Sequence, residues 1–466
     1  MNCPALKEKP DPGRYLEMTE KLNVGLIVTL SGRWPRELPE QRHKEYTRWA
    51  EETLTNVELI MPDHVLCTAE DVNKAISEMR TKQVDVVVMV YGAFTGDDIA
   101  ASIVQKMGVP LILWAPYEPP YEREERLWAN ALCAMTMNSA ALGRLGYHCH
   151  TVYGSKEDER ASHKVINLLK GYAVKKAMSQ MTLGLFGYRP TNYYVSTFDE
   201  AVIRNTFGMA MNATELKTVF DDMAALPAED VQRDMEMVSS VWSTVKLPEG
   251  HLENHCRLYL ALKQRMKTDG YDFGIIKCWP EMGAAHTQPC AVLGRLLDDG
   301  ISIGCEGDVD AGITQLMEML LSEDHAPFIT DMIDLNEDEN TMTFWHCGNA
   351  APSLHNPKYA PELRNHPLVG QGTAFWTALN PGHVTIARLH NFHGQYKLVL
   401  MKGEALDRDR VTRGCMVQVK MEAPVRQTAE RLIEEEIPHH YVVVWDDIYD
   451  AMKQTAALMK IPVIEL

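Results

Sequence analysis

The sequence predicts an α/β protein with two doubly wound parallel-sheet domains followed by a C-terminal β-rich, barrel-like domain. Short apolar runs alternate with helical periodicity up to about residue 152, and a second series of this kind begins at Leu183. After about Ala350 prolines fall close together, helical periodicity disappears and runs of alternating polarity follow. Strand–helix alternation is typical of parallel sheets, whereas successive alternating runs indicate antiparallel ones.

The 466 residues are enough for about three domains. We place them at residues 1–175, 176–350 and 351–466. In the first domain, apolar runs predict five strands: Val24–Leu30, Val57–Met61, Val86–Tyr91, Val109–Trp114 and His148–Val152. Helical periodicity predicts helices over Glu40–Leu54, Ala69–Lys82, Glu122–Gly143 and Glu157–Met181. The last of these helices leads into the second domain.

The second domain is predicted to contain a helix-rich middle, Asp199–Arg265, between strands of a parallel sheet. Its strands are predicted at Leu183–Gly187, Phe273–Cys278, Ile301–Gly304, Ala326–Thr330 and Met342–His346. The third domain has predicted antiparallel strands at His383–Leu389, Tyr396–Gly403 and Cys415–Met421, followed by a strand, a helix and a final strand at Tyr441–Trp445, Ile448–Met459 and Pro462–Leu466.

Composition excludes several functional classes. The formal net charge of -18 argues against a nucleic-acid partner, which requires clustered positive charge. The ten cysteines form no C-x-x-C pair, the N-terminus shows no signal-peptide pattern, and no apolar run is long enough to span a bilayer. We therefore expect a reduced, cytoplasmic chain that binds no membrane. Neither a G-x-G-x-x-G after a strand nor a P-loop is present, which argues against a nucleotide site.

Carboxylates and histidines follow several predicted strands of the second domain. Glu306 comes after Ile301–Gly304, and Asp331 and His346 end the next two strands. Near the C-terminus, Pro438 leads into the pair His439–His440. Because ligands of α/β sheets collect at the carboxyl ends of strands, these side chains predict a hard-cation site of carboxylates and imidazole.

Each of these assignments has a structural alternative. A carboxylate at 306 or 308 could cap the helix that starts near Val309, and we assign Asp308 and Asp310 to that role. Trp279 could form an apolar wall for a sugar ring and Glu281 could bind hydroxyls, although both also suit a packed strand end with a proline turn. Arg189 also follows a strand and could hold an anionic or hydroxylated group.

Four short motifs resemble the L-fucose and L-arabinose isomerase superfamily. They are Cys305-Glu306-Gly307-Asp308 with Phe328-Ile329-Thr330-Asp331, then Trp345-His346-Cys347-Gly348-Asn349, then Pro438-His439-His440-Tyr441. The resemblance extends to the order of the three domains. It departs in two respects: the arabinose branch has a glutamate where this chain has Thr330 or Asp331, and typical fucose isomerases are markedly longer.

The resemblance implies a divalent metal, usually manganese, held by Glu306, Asp331 and His440, with His346 as the arabinose branch's additional histidine. It implies aldose–ketose isomerisation through an enediol, with the two carboxylates as catalytic residues; a hydride shift is the alternative route. Trp279, Glu281, Arg189 and Asn349 are the expected substrate-binding residues. It also implies a homo-oligomer, a trimer or hexamer, with active sites near subunit interfaces.

The substrate stays open among L-fucose, D-arabinose, L-arabinose and a sulfonated hexose such as sulfoquinovose, whose sulfonate Arg189 could meet. Two other functions are compatible with the same residues. One is a sugar-binding or regulatory protein that kept the scaffold without catalysis. The other is a metal-dependent hydrolase or lyase.

Overall fold

The computed structural model describes residues 21–124, 126–242, 244–322 and 325–466. These fall into two compact units, residues 21–173 and Val174–Leu466. The predicted fold class is confirmed: there are two parallel sheets flanked by helices and one closed antiparallel sheet. Within the described ranges, no helix is long and apolar enough to cross a membrane.

The first unit is a five-stranded parallel sheet with the strand order β2-β1-β3-β4-β5. Its strands are β1 (Leu22–Thr29), β2 (Val57–Ile60), β3 (Val86–Tyr91), β4 (Leu111–Ala115) and β5 (His150–Tyr153), and its helices are α1 (Glu37–Thr53), α2 (Ala69–Thr81), α3 (Asp97–Met107), α4 (Ala131–Arg144) and α5 (Glu159–Gln180). Every residue of β3 is buried, as expected for a central strand that is covered by helices on both faces.

One predicted helix of this unit begins later than expected. Helical periodicity predicts a start at Glu122, whereas α4 starts at Ala131. The Glu118 carboxylate accepts hydrogen bonds from the backbone N–H groups of residues 128, 129 and 130, at 2.8, 2.9 and 2.6 Å. Asn130 also has a left-handed backbone, with φ of 53°. The turn that Glu118 organises therefore replaces the first two turns of the predicted helix.

The second unit begins with a four-stranded parallel sheet in the order β10-β9-β6-β7. Its strands are β6 (Thr182–Phe186), β7 (Ala210–Thr214), β9 (Phe273–Ile276) and β10 (Ile303–Gly304), with helices α6 (Glu200–Phe207), α7 (Leu216–Ala225), α8 (Ala228–Val241), α9 (His251–Asp269), α10 (Glu281–Ala284), α11 (Cys290–Asp298) and α12 (Val309–Leu321). The edge strand β7 lies inside the stretch that was predicted to be helix-rich, because Met-Asn-Ala-Thr carries little strand signal of its own.

The rest of the unit is a closed antiparallel barrel. Its six strands pair in the order β16-β15-β18-β11-β12-β17, and β17 pairs back to β16. They are β11 (Phe328–Asn336), β12 (Thr341–His346), β15 (Gly382–Phe392), β16 (Gln395–Ala405), β17 (Cys415–Met421) and β18 (His440–Val444). Four short strands extend this sheet: β8 (Val245–Lys246), β13 (Glu362–Arg364), β14 (Ala374–Ala378) and β19 (Val463–Glu465). Two helices also lie here, α13 (Val425–Glu434), which the sequence did not predict, and α14 (Tyr449–Leu458).

Strands β11 and β12 correct the sequence prediction. They were expected in the parallel sheet of residues 176–350, but they form an antiparallel hairpin and pair with β18 and β17 of the barrel. Only residues 337–340 separate them, which is too short for the crossover that parallel neighbours require. Asp331 is consequently an interior position of β11 and does not end the strand, as the sequence pattern had suggested.

Helix α12 joins the parallel sheet to the barrel. It contacts β9 and β10 on one side and β15 and β18 on the other, and nearly all of its residues are buried. The turn before this helix follows β10. Carboxylates in that turn therefore lie next to barrel strands that come much later in the chain.

Candidate active site

The turn between β10 and α12 places Glu306 in an unusual backbone conformation. Glu306 and Gly307 both have a left-handed backbone, with φ of 58° and 64°. A Cβ atom at position 307 would lie 2.5 Å from the Tyr188 carbonyl oxygen, so only glycine fits. For glutamate, this conformation costs on the order of 1–3 kcal/mol, and such strain is concentrated at functional sites.

The barrel brings Asp331 and His440 together by strand register. Asp331 on β11 is paired directly opposite His440 on β18, so both side chains point to the same face. The Nε2 atom of His440 lies 3.6 Å from Asp331 Oδ1 and 3.7 Å from Glu306 Oε2. Three residues from two different sheets thus converge on one point.

Asp308 fixes the orientation of His440. Its Oδ2 atom lies 2.9 Å from His440 Nδ1, which leaves Nε2 facing the carboxylates. Arg388 donates hydrogen bonds to both Asp308 oxygens, at 2.9 and 3.2 Å. The backbone N–H of Ala311 donates to Asp308 Oδ1 at 3.0 Å, so the predicted helix cap is present, but it is only one part of this residue's role.

The charges around His440 favour a cation. Burial raises the pKa of Asp308, but Arg388 and His440 outweigh it, so the net pKa is lowered and the carboxylate stays charged. Burial lowers the pKa of His440, but the hydrogen bond to Asp308 and the three neighbouring carboxylates raise it overall to about 9. Burial also raises the pKa of Glu306, against the opposing charge of His440. Three carboxylates thus surround the His440 side chain, and in the described part of the chain only Asp308 is paired with a guanidinium.

Several ligand atoms at this point have no hydrogen-bond partner among the described residues. They are Asp331 Oδ1, His440 Nε2 and both ring nitrogens of His346. One potential ligand atom from each of Glu306, His346 and His440 lies within 4.8 Å of the others, and the same holds for Asp331, His439 and His440. Buried polar atoms normally have partners. Carboxylate oxygens and imidazole nitrogens that lack them fit a divalent cation such as Mn²⁺.

Two further residues lie at the site: Tyr193, which was not predicted, and His439, which was named with His440 but not assigned as a ligand. The Tyr193 hydroxyl donates to Glu306 Oε2 at 2.8 Å and lies 2.6 Å from His439 Nε2. His439 Nε2 also lies 3.9 Å from Asp331 Oδ1, and burial lowers the pKa of His439 to about 4. The sequence signal for His439 was its position next to His440, whereas nothing in the sequence around Tyr193 marks it.

The predicted substrate-binding residues lie at different places. Trp279 packs edge-on against Tyr193, with the ring centroids 5.6 Å apart, so it borders the convergence point. Glu281 accepts a hydrogen bond from Lys277 at 2.6 Å and lines a separate cavity of about 400 Å³. Asn349 is buried and donates to the Ile329 carbonyl at 3.2 Å.

Arg189 lies beside the Glu306 turn, because a Cβ at Gly307 would be 2.9 Å from its Cα. The guanidinium lies over the rings of Tyr194 and Tyr188, 5.0 and 5.6 Å from their centroids. Its Nε atom is buried without a partner, and no carboxylate among the described residues forms an ion pair with it. The structure thus brings Glu306, Asp331, His346 and His440 close together, and the positive charge of Arg189 has no acidic partner among the described residues. The roles of all these residues stay predictions.

Comparison with known proteins gives matches to two family models. Residues 25–178 match the model described as fucose/sulfoquinovose isomerase, N-terminal domain, and residues 344–466 match L-fucose isomerase, C-terminal domain. Three similar curated proteins are each named sulfoquinovose isomerase. The protein from Priestia aryabhattai is 23% identical over 91% of this chain and 95% of its own length. Those from Alkalicoccus urumqiensis and Clostridium sp. (strain MSTE9) are 25% and 24% identical, over 87% and 88% of this chain and 91% and 92% of their own lengths.

Proposed function

We propose that this chain, which belongs to the L-fucose isomerase superfamily and is an aldose–ketose isomerase, works with a bound divalent metal, Mn²⁺, on a sulfonated hexose such as sulfoquinovose. The observation that carries the metal requirement is the unpartnered His440 Nε2, which lies 3.6 and 3.7 Å from two carboxylates while Asp308 holds its other nitrogen. A carboxylate–histidine pair of this kind is a common support for a metal ligand.

Glu306, Asp331 and His440 would hold the metal, with His346 close enough to join them. When bound, the cation would polarise the carbonyl and the adjacent hydroxyl of the open-chain sugar. Isomerisation through an enediol then needs a base that takes a proton from one carbon and returns it to the next. Glu306 and Asp331 are the carboxylates in position for that transfer. Tyr193 holds Glu306 by its hydroxyl, and Trp279 supplies an aromatic wall.

Arg189 supports the choice of a sulfonated substrate. The two lysines that line the cavity beside Tyr188 both have acidic partners: Lys277 pairs with Glu281 at 2.6 Å and Lys217 with Asp221 at 2.6 Å. Arg189, in contrast, has no ion-pair partner among the described residues and lies beside the turn that carries Glu306. A guanidinium binds tetrahedral oxyanions in two-pronged geometry, which suits a sulfonate.

The function is tested by incubating the Mn²⁺-supplemented protein with a panel of aldoses, including sulfoquinovose, and following ketose formation by NMR in D₂O. We expect conversion that a chelator abolishes and Mn²⁺ restores, and deuterium entering the product at the carbon that receives the proton. Glu306→Gln should lose activity, whereas Glu404→Gln, an exposed glutamate on β16, should keep it. Turnover without deuterium incorporation would indicate a hydride shift.

Three results would contradict the proposal. Full activity after metal removal would exclude metal dependence, and metal binding without turnover of any sugar would favour a sugar-binding protein. Product formation without a ketose would indicate a hydrolase or lyase.

Substrate preference is tested separately with Arg189→Met. We expect KM for the sulfonated sugar to rise at least about tenfold relative to KM for the unsulfonated sugar, because a hydrogen bond to a charged group contributes about 1.5–3 kcal/mol.

We also propose that the protein is a homo-oligomer, as the superfamily resemblance implies. A trimer or hexamer would give a mass of three or six times 52.7 kDa in sedimentation or light scattering. A monomeric mass at the concentrations used for the activity assay would reject this part of the proposal.

A further inference from the structure

We propose that three buried cysteines behind Glu306 form a second cation site, specific for a soft divalent ion such as Cd²⁺ or Zn²⁺, which takes the Glu306 carboxylate as one of its ligands. The cysteines are Cys278, Cys290 and Cys305. None of them belongs to the carboxylate–histidine site described above.

The three cysteines come from three different elements. Cys278 follows β9, Cys290 is the first residue of α11, and Cys305 follows β10. All three are buried. The Sγ atoms of Cys278 and Cys305 and one carboxylate oxygen of Glu306 all lie within 4.8 Å of one another. The Cys290 thiol is close enough to Cys305 to act on its ionisation, so it borders the same cluster.

This arrangement differs from that of cysteines that only fill a hydrophobic core. An isolated buried thiol behaves as a small apolar side chain. Here the Sγ atoms of Cys278 and Cys305 lie within 4.8 Å of each other and of a carboxylate oxygen of Glu306. Zinc bound to sulfur at about 2.3 Å in a tetrahedron requires sulfur atoms roughly 3.8 Å apart, which the present spacing allows with small side-chain movements.

The two cation sites differ in the chemistry of their ligands. Thiolates are soft ligands that select zinc and related ions, while carboxylate and imidazole suit manganese. Cysteine binds a divalent ion as the thiolate, so any proton that Cys278 or Cys305 carries is released to solvent on binding. The carboxylate of Glu306 lies between the two sites. A soft ion held by the thiols would therefore weaken the binding of the ion held by Asp331 and His440.

The test uses the full-length protein after metal removal and titrates it with Cd²⁺, followed by the ultraviolet sulfur-to-cadmium charge-transfer band. We expect one equivalent of Cd²⁺ to produce the band. Cys278→Ser and Cys305→Ser should each weaken Cd²⁺ binding at least about tenfold, since loss of a direct ligand should cost no less than loss of a supporting residue. Cys256→Ser, a buried cysteine in α9 outside the cluster, is the matched control and should keep the band.

Folding of each variant is checked by near-ultraviolet circular dichroism, and Cys278→Ala and Cys305→Ala provide a second pair if serine is not tolerated. The proposal is overturned if the band is absent from the wild-type protein, or if it survives in the folded cluster variants. It is also overturned if the band is lost in Cys256→Ser. The charge-transfer band does not depend on any sugar, so failure of the isomerase assay leaves this test unaffected.

Discussion

The substitution Asp308→Asn should weaken both the support of the metal-binding histidine and the stability of the fold. Asparagine caps helices about as well as aspartate, so the N-terminus of α12 should be kept. The substitution removes the negative charge that faces His440 Nδ1 at 2.9 Å, and it replaces one of the two oxygens that accept from Arg388, at 2.9 and 3.2 Å, with an NH2 donor. Metal affinity and stability should therefore fall together.

The magnitudes follow from burial. The Arg388 side chain is 0% exposed and its Nε atom has no partner among the described residues. Removing its counter-charge should therefore destabilise the unit by about 3–5 kcal/mol. Loss of the residue that orients a metal-binding histidine should weaken Mn²⁺ binding by about 10–100-fold. Urea unfolding in the presence of a chelator measures the first quantity, and electron paramagnetic resonance of free Mn²⁺ measures the second.

The double variant Asp308→Asn with Arg388→Met is the control that separates the two effects. It removes both buried charges, so much of the lost stability should return, while Mn²⁺ affinity should stay low. Mn²⁺ binding within about threefold of wild type in Asp308→Asn would show that the carboxylate does not orient His440, since a support of this kind is worth about 10–100-fold. A double variant no more stable than the single one would refute the argument from charge burial.

Three further predictions concern other parts of the second unit and one control in the first. Glu318 is fully buried, its carboxylate oxygens have no partner among the described residues, and burial raises its pKa. Because the folded protein keeps this carboxyl protonated, the contribution of Glu318 to wild-type stability should fall by up to about 1.4 kcal/mol per pH unit above pH 4.5. The stability advantage of Glu318→Gln in urea unfolding should therefore grow with pH, and absence of this trend would contradict the burial argument. Gly294→Ala would place a Cβ 2.2 Å from the Ala350 carbonyl oxygen and should destabilise by about 1–3 kcal/mol, whereas Gly143→Ala, which meets nothing within 4 Å, should be neutral or stabilising in thermal unfolding. Tyr193→Phe removes the hydroxyl that donates to the proposed metal-binding carboxylate of Glu306 at 2.8 Å. We expect kcat to fall about 10–100-fold, because a hydrogen bond to a charged group contributes about 1.5–3 kcal/mol. Unchanged kcat would exclude a role of the Tyr193 hydroxyl in supporting Glu306.

Local patterns predicted most of the secondary structure. Apolar runs located β3 and β17 within the correct bounds and β1, β4 and β15 to within a few residues. Periodicity failed where a local pattern was overridden, as at α4, whose first predicted turns are held as a loop by Glu118. The sequence pattern also predicted the wrong partners for β11 and β12, because a short apolar run looks the same in a parallel and in an antiparallel sheet.

The site shows the same division. Strand ends and the family motifs marked Glu306, Asp331, His346 and His440, and the structure brings potential ligand atoms from these residues together. The reasoning about Asp331 was nevertheless wrong, because it lies inside a barrel strand and reaches His440 through antiparallel register. Of the four residues, only Glu306 follows a strand of the parallel sheet, as the sequence pattern had predicted.

The sequence by itself determined the α/β class with a C-terminal β-rich part, most of the strands and helices, and the residue types of a carboxylate–histidine site. Hydrophobic periodicity and short motifs carry this information because they depend only on neighbours along the chain. Tertiary structure alone decided that Asp308 holds His440, 132 residues away, and that Arg388 compensates the charge of Asp308. Closure of the barrel and the packing of α12 set those contacts, and a local pattern cannot specify them, since they depend on which distant strands become neighbours.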